Sequence, residues 1–338
     1  IEMPEKWVGL YGGLGQLADL TPYLNDWPSA ADFTDPTWTG AKLYADTPYV
    51  IPYGFYVRAL YYNKALFREA GVTDPPATYA EFVEIAKKIS EIPGKYGYCL
   101  RGGSGGYGVT IDFMTSFMGS DAWFDENGKS TFDSPEAIKG FETQVNMYKD
   151  GYAPPDSVNW TYGGVTAGFY SGTCAMFMND PDAYAILRDN IANPDDVGVA
   201  PQPLGPYGVS FPKVGFAGWS MFDSSSHKDA AWKLIAYLTS PEVSLEWDKW
   251  LGGLVPLYNG VYESDPFYSD PAREAWAIQL NDPRYHLELS YPFDLPEMGY
   301  LLDQLMVETT QEALLGQRTP ADVATQWADY LNEAKAKH

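Results

Sequence analysis

The stretch PYGFYVRALYYNKALFREAG, residues 52–71, decides how this chain is read. Tyr53, Phe55, Tyr56, Tyr61 and Tyr62 fall close together, with the charged Arg58 in the middle of an otherwise buried-looking run. Directly after them Asn63 can cap a helix, and Gly71 can end it in the left-handed conformation that glycine adopts without strain. A strand so loaded with rings either packs a core or lines a groove that recognises something flat and hydroxylated.

Working outward, the helix punctuation is clear. After Pro75-Pro76, Thr78-x-x-Glu81 is a capping box, followed by Phe82, Ile85, Ala86 and Ile89 at helical spacing. Ser134-Pro135 opens a helix carrying Ile138, Phe141, Val145 and Tyr148 and closed by Gly151; Ser240-Pro241 and Thr319-Pro320 repeat that start signal. Residues 228–238 form an amphipathic helix, and 299–315 form a long helical run stopped by Gly316. Strand-like runs alternate with these helices at 48–51, 59–62, 96–100, 174–178, 197–200 and 216–222. The alternation predicts an α/β fold with largely parallel sheets, in which ligands bind beyond the carboxyl ends of strands. At 338 residues the chain exceeds one hydrophobic core, so two lobes are expected.

Composition excludes several classes. A formal charge of −23 opposes nucleic acid and anionic lipid, both of which need a basic footprint. Apolar content of 45% is ordinary, and no run is long enough to span a bilayer. The 26 tyrosines and 11 tryptophans pair large apolar faces with polar tips, which suits amphipathic ligands. Cys99 and Cys174 each lie in a strand-like run, and neither has metal spacing. A disulfide forms only if those strands are neighbours; two separate buried thiols are the preferred expectation. With three histidines no catalytic metal site and no cofactor is expected.

The loop after Leu100, RGGSGGYG, matches two chemical patterns. Gly103-x-Gly105-x-x-Gly108 has dinucleotide spacing, and Gly102-x-Ser104-x-Gly106 has the spacing of a nucleophile elbow, with His227 and His286 downstream. Both readings are weak. Tyr107-Gly108 is expected to delay the helix, the acid at 125 lies in the turn DENGK, and Gly105-Gly106 opposes a helix right after Ser104. The preferred reading is that glycines bring backbone amides close to a ligand while Arg101 supplies a charged fork. Asp125-x-Asn127-Gly128 reads as a hairpin turn, because it lacks the remaining calcium ligands.

Several segments together resemble the extracellular solute-binding proteins of carbohydrate ABC importers, the maltose-binding-protein-like family. They are PYG-x4-ALYYNK-x-LF-x-x-AG; Trp160 followed by AGFYSGTCAMFMNDPDAY; VGFAGWSMFDSSSHKDAAWKLIAYLTSPE with GGLVP; and GQRTPADVATQWADYLNEA. The resemblance implies a two-lobed periplasmic-binding-protein-like fold with a ligand cleft between lobes joined by hinge crossings. The first lobe would comprise 1–56 and 217–275, apparently without its first βαβ unit, and the second 57–216 and 276–338. Residues 52–62 would be a hinge strand, with Tyr53 and Tyr56 facing the cleft and Leu60 and Tyr61 packed inside.

Carried onto this chain, the resemblance implies a ligand set of Glu2, Lys6 and Trp7 in the first loop, Tyr53 at the hinge, Arg101 and Gly102 after a strand, Trp160, Asp180 and Asp182, and Gly218 with Trp219. Relatives commonly place an aromatic where this chain has Asp182, so a stacking platform is traded for a carboxylate that suits a small polyhydroxy solute. The implied role is non-enzymatic capture of a sugar, sugar alcohol or short oligosaccharide by hinge closure, with delivery to an ABC permease. A monomer is expected, periplasmic or extracellular, lipid-anchored or free. The rival is a secreted carbohydrate or ester hydrolase using Ser104 or a carboxylate pair. A third reading, a receptor for peptide or another anion, would use Arg101.

Overall fold

The computed structural model describes residues 1–338 as two compact units. The first comprises Ile1–Val57, Val214–Asp270 and Glu288–Gly299; the second comprises Arg58–Lys213, Pro271–Leu287 and Tyr300–His338. The sequence reading left 288–299 in the second lobe. The structure places this segment in the first unit, where the Phe293 carbonyl lies against Gly9 and Gly299 lies under the Trp7 ring.

Seven strands run in chain order: β1 Glu2–Pro4, β2 Ile51–Val57, β3 Ala59–Asn63, β4 Tyr96–Tyr98, β5 Cys174–Asn179, β6 Val197–Ala200 and β7 Val214–Trp219. The first unit holds a sheet ordered β1-β7-β2, the second a sheet ordered β4-β5-β3-β6. The aromatic run 52–62 is therefore two strands in two sheets, divided at Arg58.

The expectation of largely parallel sheets fails. Only β4 and β5 are parallel; β1–β7, β2–β7, β3–β5 and β3–β6 are all antiparallel. Every residue of β5 is buried. A continuous apolar run such as CAMFMN reports that a strand is covered on both faces, and carries no information on the direction of its neighbour.

The first unit's sheet carries a bulge. The β2–β7 register shifts between Pro52 and Phe55, and Gly54 there has φ +148°. A Cβ at Gly54 would collide with Asp248 Oδ1 and come within 2.9 Å of Leu254. Glycine is required both by conformation and by space. Asp248 beneath it is fully buried, with no hydrogen-bond partner on either carboxylate oxygen. Burial alone holds its carboxyl well above the ordinary aspartate range, so it favours the neutral form.

In the second unit the helix Tyr107–Met118 is buried from Tyr107 through Ser116, as its apolar composition on all faces requires. Its Thr110 hydroxyl bonds Gln144 Oε1 at 2.8 Å, and Gln144 Nε2 donates to the Tyr98 hydroxyl at 3.1 Å, so this buried trio is paired. The punctuation held. Asn63 Oδ1 accepts from the amides of Ala65 and Leu66, Thr78 and Glu81 form the capping box, Gly71 and Gly316 take positive φ, and Asp125 Oδ1 closes the turn to Asn127 and Lys129. Ser240 departs from it, making no side-chain cap.

Cys99 and Cys174 are disulfide-bonded, with Cα atoms 5.2 Å apart, which overturns the preference for separate thiols. The parallel pairing of β4 with β5 decides this. Tyr96 lies opposite Cys174 and Tyr98 opposite Met176, so the cysteine one residue past β4 reaches the first residue of β5.

Candidate functional site

The second unit gathers five of the expected residues. Gly102 and Gly103 donate to the carbonyls of Ser157 and Trp160 at 3.0 and 2.9 Å, tying the glycine loop to the segment that bears Trp160. A Cβ on Gly102 would run into the Val158 backbone, so this glycine serves a close backbone approach. Gln311 straps the same two loops together: its Nε2 donates to the Gly102 and Val158 carbonyls at 3.2 and 3.1 Å. Trp160 is pinned by its indole N–H to Asp156 Oδ2 at 3.0 Å and packs its ring on Gly164 and Gly168.

The Arg101 guanidinium lies 5.6 Å from the Tyr162 ring, and its Nε donates to the Ser104 carbonyl at 2.8 Å. Burial, and the neighbouring charge of Arg58, lower its pKa, while Asp180 acts against them. Tyr162 in turn donates to Asp182 Oδ2 at 3.0 Å. Asp182 Oδ1 is buried and receives no hydrogen bond. Burial, then the charge of Asp180, raises the Asp182 carboxyl to about 6. Asp180 is anchored twice: its Oδ1 accepts from Arg58 Nε at 3.2 Å and its carbonyl from the Tyr61 hydroxyl at 2.9 Å.

The glycine pattern RGGSGGYG is thus explained by packing. A Cβ on Gly105 would strike the Arg101 guanidinium, one on Gly106 the Arg101 carbonyl, and one on Gly108 the Arg58 guanidinium. The helix starts at Tyr107, inside the glycine pattern and not after it as expected. The dinucleotide pattern is occupied by the protein's own cations. Ser104 is exposed and no imidazole is bonded to its hydroxyl; His286 stacks on Phe211 at 4.8 Å.

In the first unit Glu2, Tyr53 and Trp219 come together. The Tyr53 hydroxyl donates to Glu2 Oε1 at 3.0 Å and shares a 2.7 Å hydrogen bond with Tyr56. Its ring lies 5.6 Å from Trp219 and 5.8 Å from Trp247, centre to centre. Tyr53 is only 3% exposed, so the expectation that it stands open to a ligand is corrected; Tyr56, Trp219 and Trp247 are the partly exposed rings around it. Gly218 pairs with Met3 and Pro52 across the sheet, and a Cβ there would strike the Ile51 carbonyl. Its reason is again packing. Lys6 and Trp7 lie in the helix Glu5–Gly13 and not in a loop, Trp7 sitting 6.4 Å from Tyr11 and covering Gly299.

Sequence reasoning missed Tyr162, Trp247, Gln311 and Asp112. An aromatic or amide side chain in a helix carries no local mark of what it faces. Arg58 did carry one, a charge inside an apolar strand.

No group of three or more His, Cys, Asp or Glu side chains is placed to hold a metal, and no helix is long and apolar enough to cross a membrane. A binding protein of Brucella abortus is 25% identical over 83% of this chain and 67% of its own length. The erythritol/L-threitol-binding protein of Mycolicibacterium smegmatis is 27% identical over 69% of this chain and 53% of its own. Among solved structures, maltose-bound MalE3 of T. maritima superposes with a TM-score of 0.83 at 25% identity, covering 98% of this chain and 83% of that one. The model of the bacterial extracellular solute-binding proteins matches residues 1–244, and the chain belongs to that family.

Proposed function

We propose that the protein captures a small sugar alcohol or sugar and hands it, unchanged, to an ABC permease outside the cytoplasmic membrane. The observation that carries this reading is Asp182 Oδ1, a buried acceptor without a donor, set beside Arg101 and the acceptors of Asp180. A polyol offers a row of hydroxyl donors to such a set, and a buried acceptor left unmatched costs about 1–3 kcal/mol. The relatives that bind erythritol or maltose make a neutral polyhydroxy solute the natural class. Trp160, held beside the glycine loop by Asp156, supplies a face for the C–H side of the solute. No chemical step is assigned to any of these groups, and the chain acts as a monomer.

The test is a thermal-shift series with erythritol, ribitol, mannitol, glucose and maltose. A solute present at 100 times its dissociation constant stabilises the bound form by about 2.7 kcal/mol, which is a readily measured rise in Tm. No shift with any member of the series, or turnover of a glycoside by the protein, refutes the proposal.

A further inference from the structure

We infer that Arg58 is a positioning residue for the solute site: seated on Gly108, it holds the Asp180 carboxylate in the one orientation that receives a solute hydroxyl. The inference rests on the proposed role of Asp180 as a solute contact. Arg58 is 4% exposed and Asp112 beside it 1%, so neither touches a ligand in solvent. Desolvating two such ions costs several kcal/mol each, and apolar residues would often serve stability as well. A buried pair of this kind points to a job that apolar residues could not do.

The geometry names it. The main chain of Arg58 is locked at both ends: its N–H donates to the Lys213 carbonyl at 3.3 Å, and its carbonyl accepts from Gln279 Nε2 at 2.8 Å. One side of the guanidinium faces Asp112, with Nη1 3.6 Å from Oδ2, and Asp112 Oδ1 is itself held by the Lys213 amide at 2.9 Å. The Nε edge is aimed at Asp180 Oδ1, 3.2 Å away. Asp180 is 23% exposed, the member of the trio within reach of a solute. Arg58 occupies Oδ1 and leaves Oδ2 for the ligand. A guanidinium points its N–H donors in fixed directions within one plane, so the Nε–H is aimed at Oδ1 in a way that a freely rotating lysine ammonium is not.

Gly108 completes the device. A Cβ there would strike Arg58 Nη1 and stand 2.7 Å from Cζ and 2.8 Å from Nη2. The guanidinium therefore lies directly on the first turn of the helix Tyr107–Met118, and only glycine admits it. The last glycine of the apparent dinucleotide pattern is a seat for an arginine.

The experiment compares R58Q, R58K, G108A, D180N and R58Q/D180N, with binding of D-mannitol and of maltose measured by calorimetry, and a crystal structure of R58Q. Loss of a hydrogen bond to a charged group predicts that R58Q and G108A each weaken binding about tenfold or more, with R58K in between. Because Arg58 acts through Asp180, R58Q should cost less than about twofold once Asp180 is already Asn. A full, additive cost of R58Q in the D180N protein overturns the inference alone. D180N binding as tightly as wild type removes Asp180 from the site and ends the inference while solute capture itself stands, whereas wild type binding neither solute counts against the proposed function. The R58Q crystal structure decides even if neither solute binds: an Asp180 carboxylate that stays where it is overturns the inference. Should R58Q fail to fold, G108A, which leaves every charge in place, carries the same comparison against D180N.

Discussion

The disulfide offers the sharpest quantitative test of the second unit. It joins residues 75 positions apart, both buried in the sheet at the junction of β4 and β5. A cross-link closing a loop of that length removes unfolded-state entropy equivalent to about 4.5 kcal/mol in the chain-entropy treatment, of which measured disulfides commonly deliver somewhat less. Replacing both cysteines with alanine should therefore destabilise the unit by about 3–4 kcal/mol, or about 10 °C in Tm for a domain of roughly 200 residues. The assay is thermal unfolding followed by circular dichroism, on wild type with and without a phosphine reductant and on the double variant. Reduced wild type should melt with the double variant, and the reductant should not move the variant. The bond also lies just before Leu100 and Arg101 and at the start of the strand that leads to Asp180, so its loss should weaken solute binding as well. A double variant melting within about 2 °C of the oxidised wild type would refute the loop-entropy reasoning for this domain.

Three further outcomes are expected. Asp182, raised to about 6, is stabilising when protonated, so its contribution is full below the unfolded value near 3.9 and is lost as pH rises toward 6. Solute affinity should run the other way, because hydroxyl donors favour the carboxylate; D182N should flatten both profiles in urea melts and in calorimetry between pH 4 and 7. Gly54→Ala should cost more than about 2 kcal/mol from backbone strain and the clash with Asp248, whereas D248N, which cannot ionise, should gain stability over wild type as pH rises; equal urea midpoints at pH 5 and 8 for wild type and D248N would refute the latter. Gln311→Leu strips the shared donor from Gly102 and Val158 and should lower stability by about 1–3 kcal/mol, read as a shifted urea midpoint with an unchanged slope.

The local features read from the chain are those whose cause is local. Asn63, Thr78 with Glu81, Ser134, Thr319 and Gly71 each act within four residues of their own position, and each does in the structure what its sequence context implies. Strand direction was misread because burial on both faces erases the alternation that would distinguish one neighbour from another. The cysteine pair was misjudged for a related reason: whether Cys99 meets Cys174 depends on a β4–β5 register set by the whole sheet.

Of the candidate site, the residue types were legible and their duties were not. A charged side chain in a strand of rings, Arg58, and a loop of glycines, RGGSGGYG, each signalled something unusual when read alone. Only the fold showed that they explain one another, since Gly108 lies 50 positions along the chain from the guanidinium it accommodates. The sequence by itself determined the helix starts capped by Asn63, Thr78, Ser134 and Thr319 and the apolar runs, because propensity and capping are carried by neighbours in the chain. The tertiary structure alone decided which carboxylate meets which arginine, because ion pairs and close backbone approaches join residues far apart in sequence, and nothing in the chain between them records the distance.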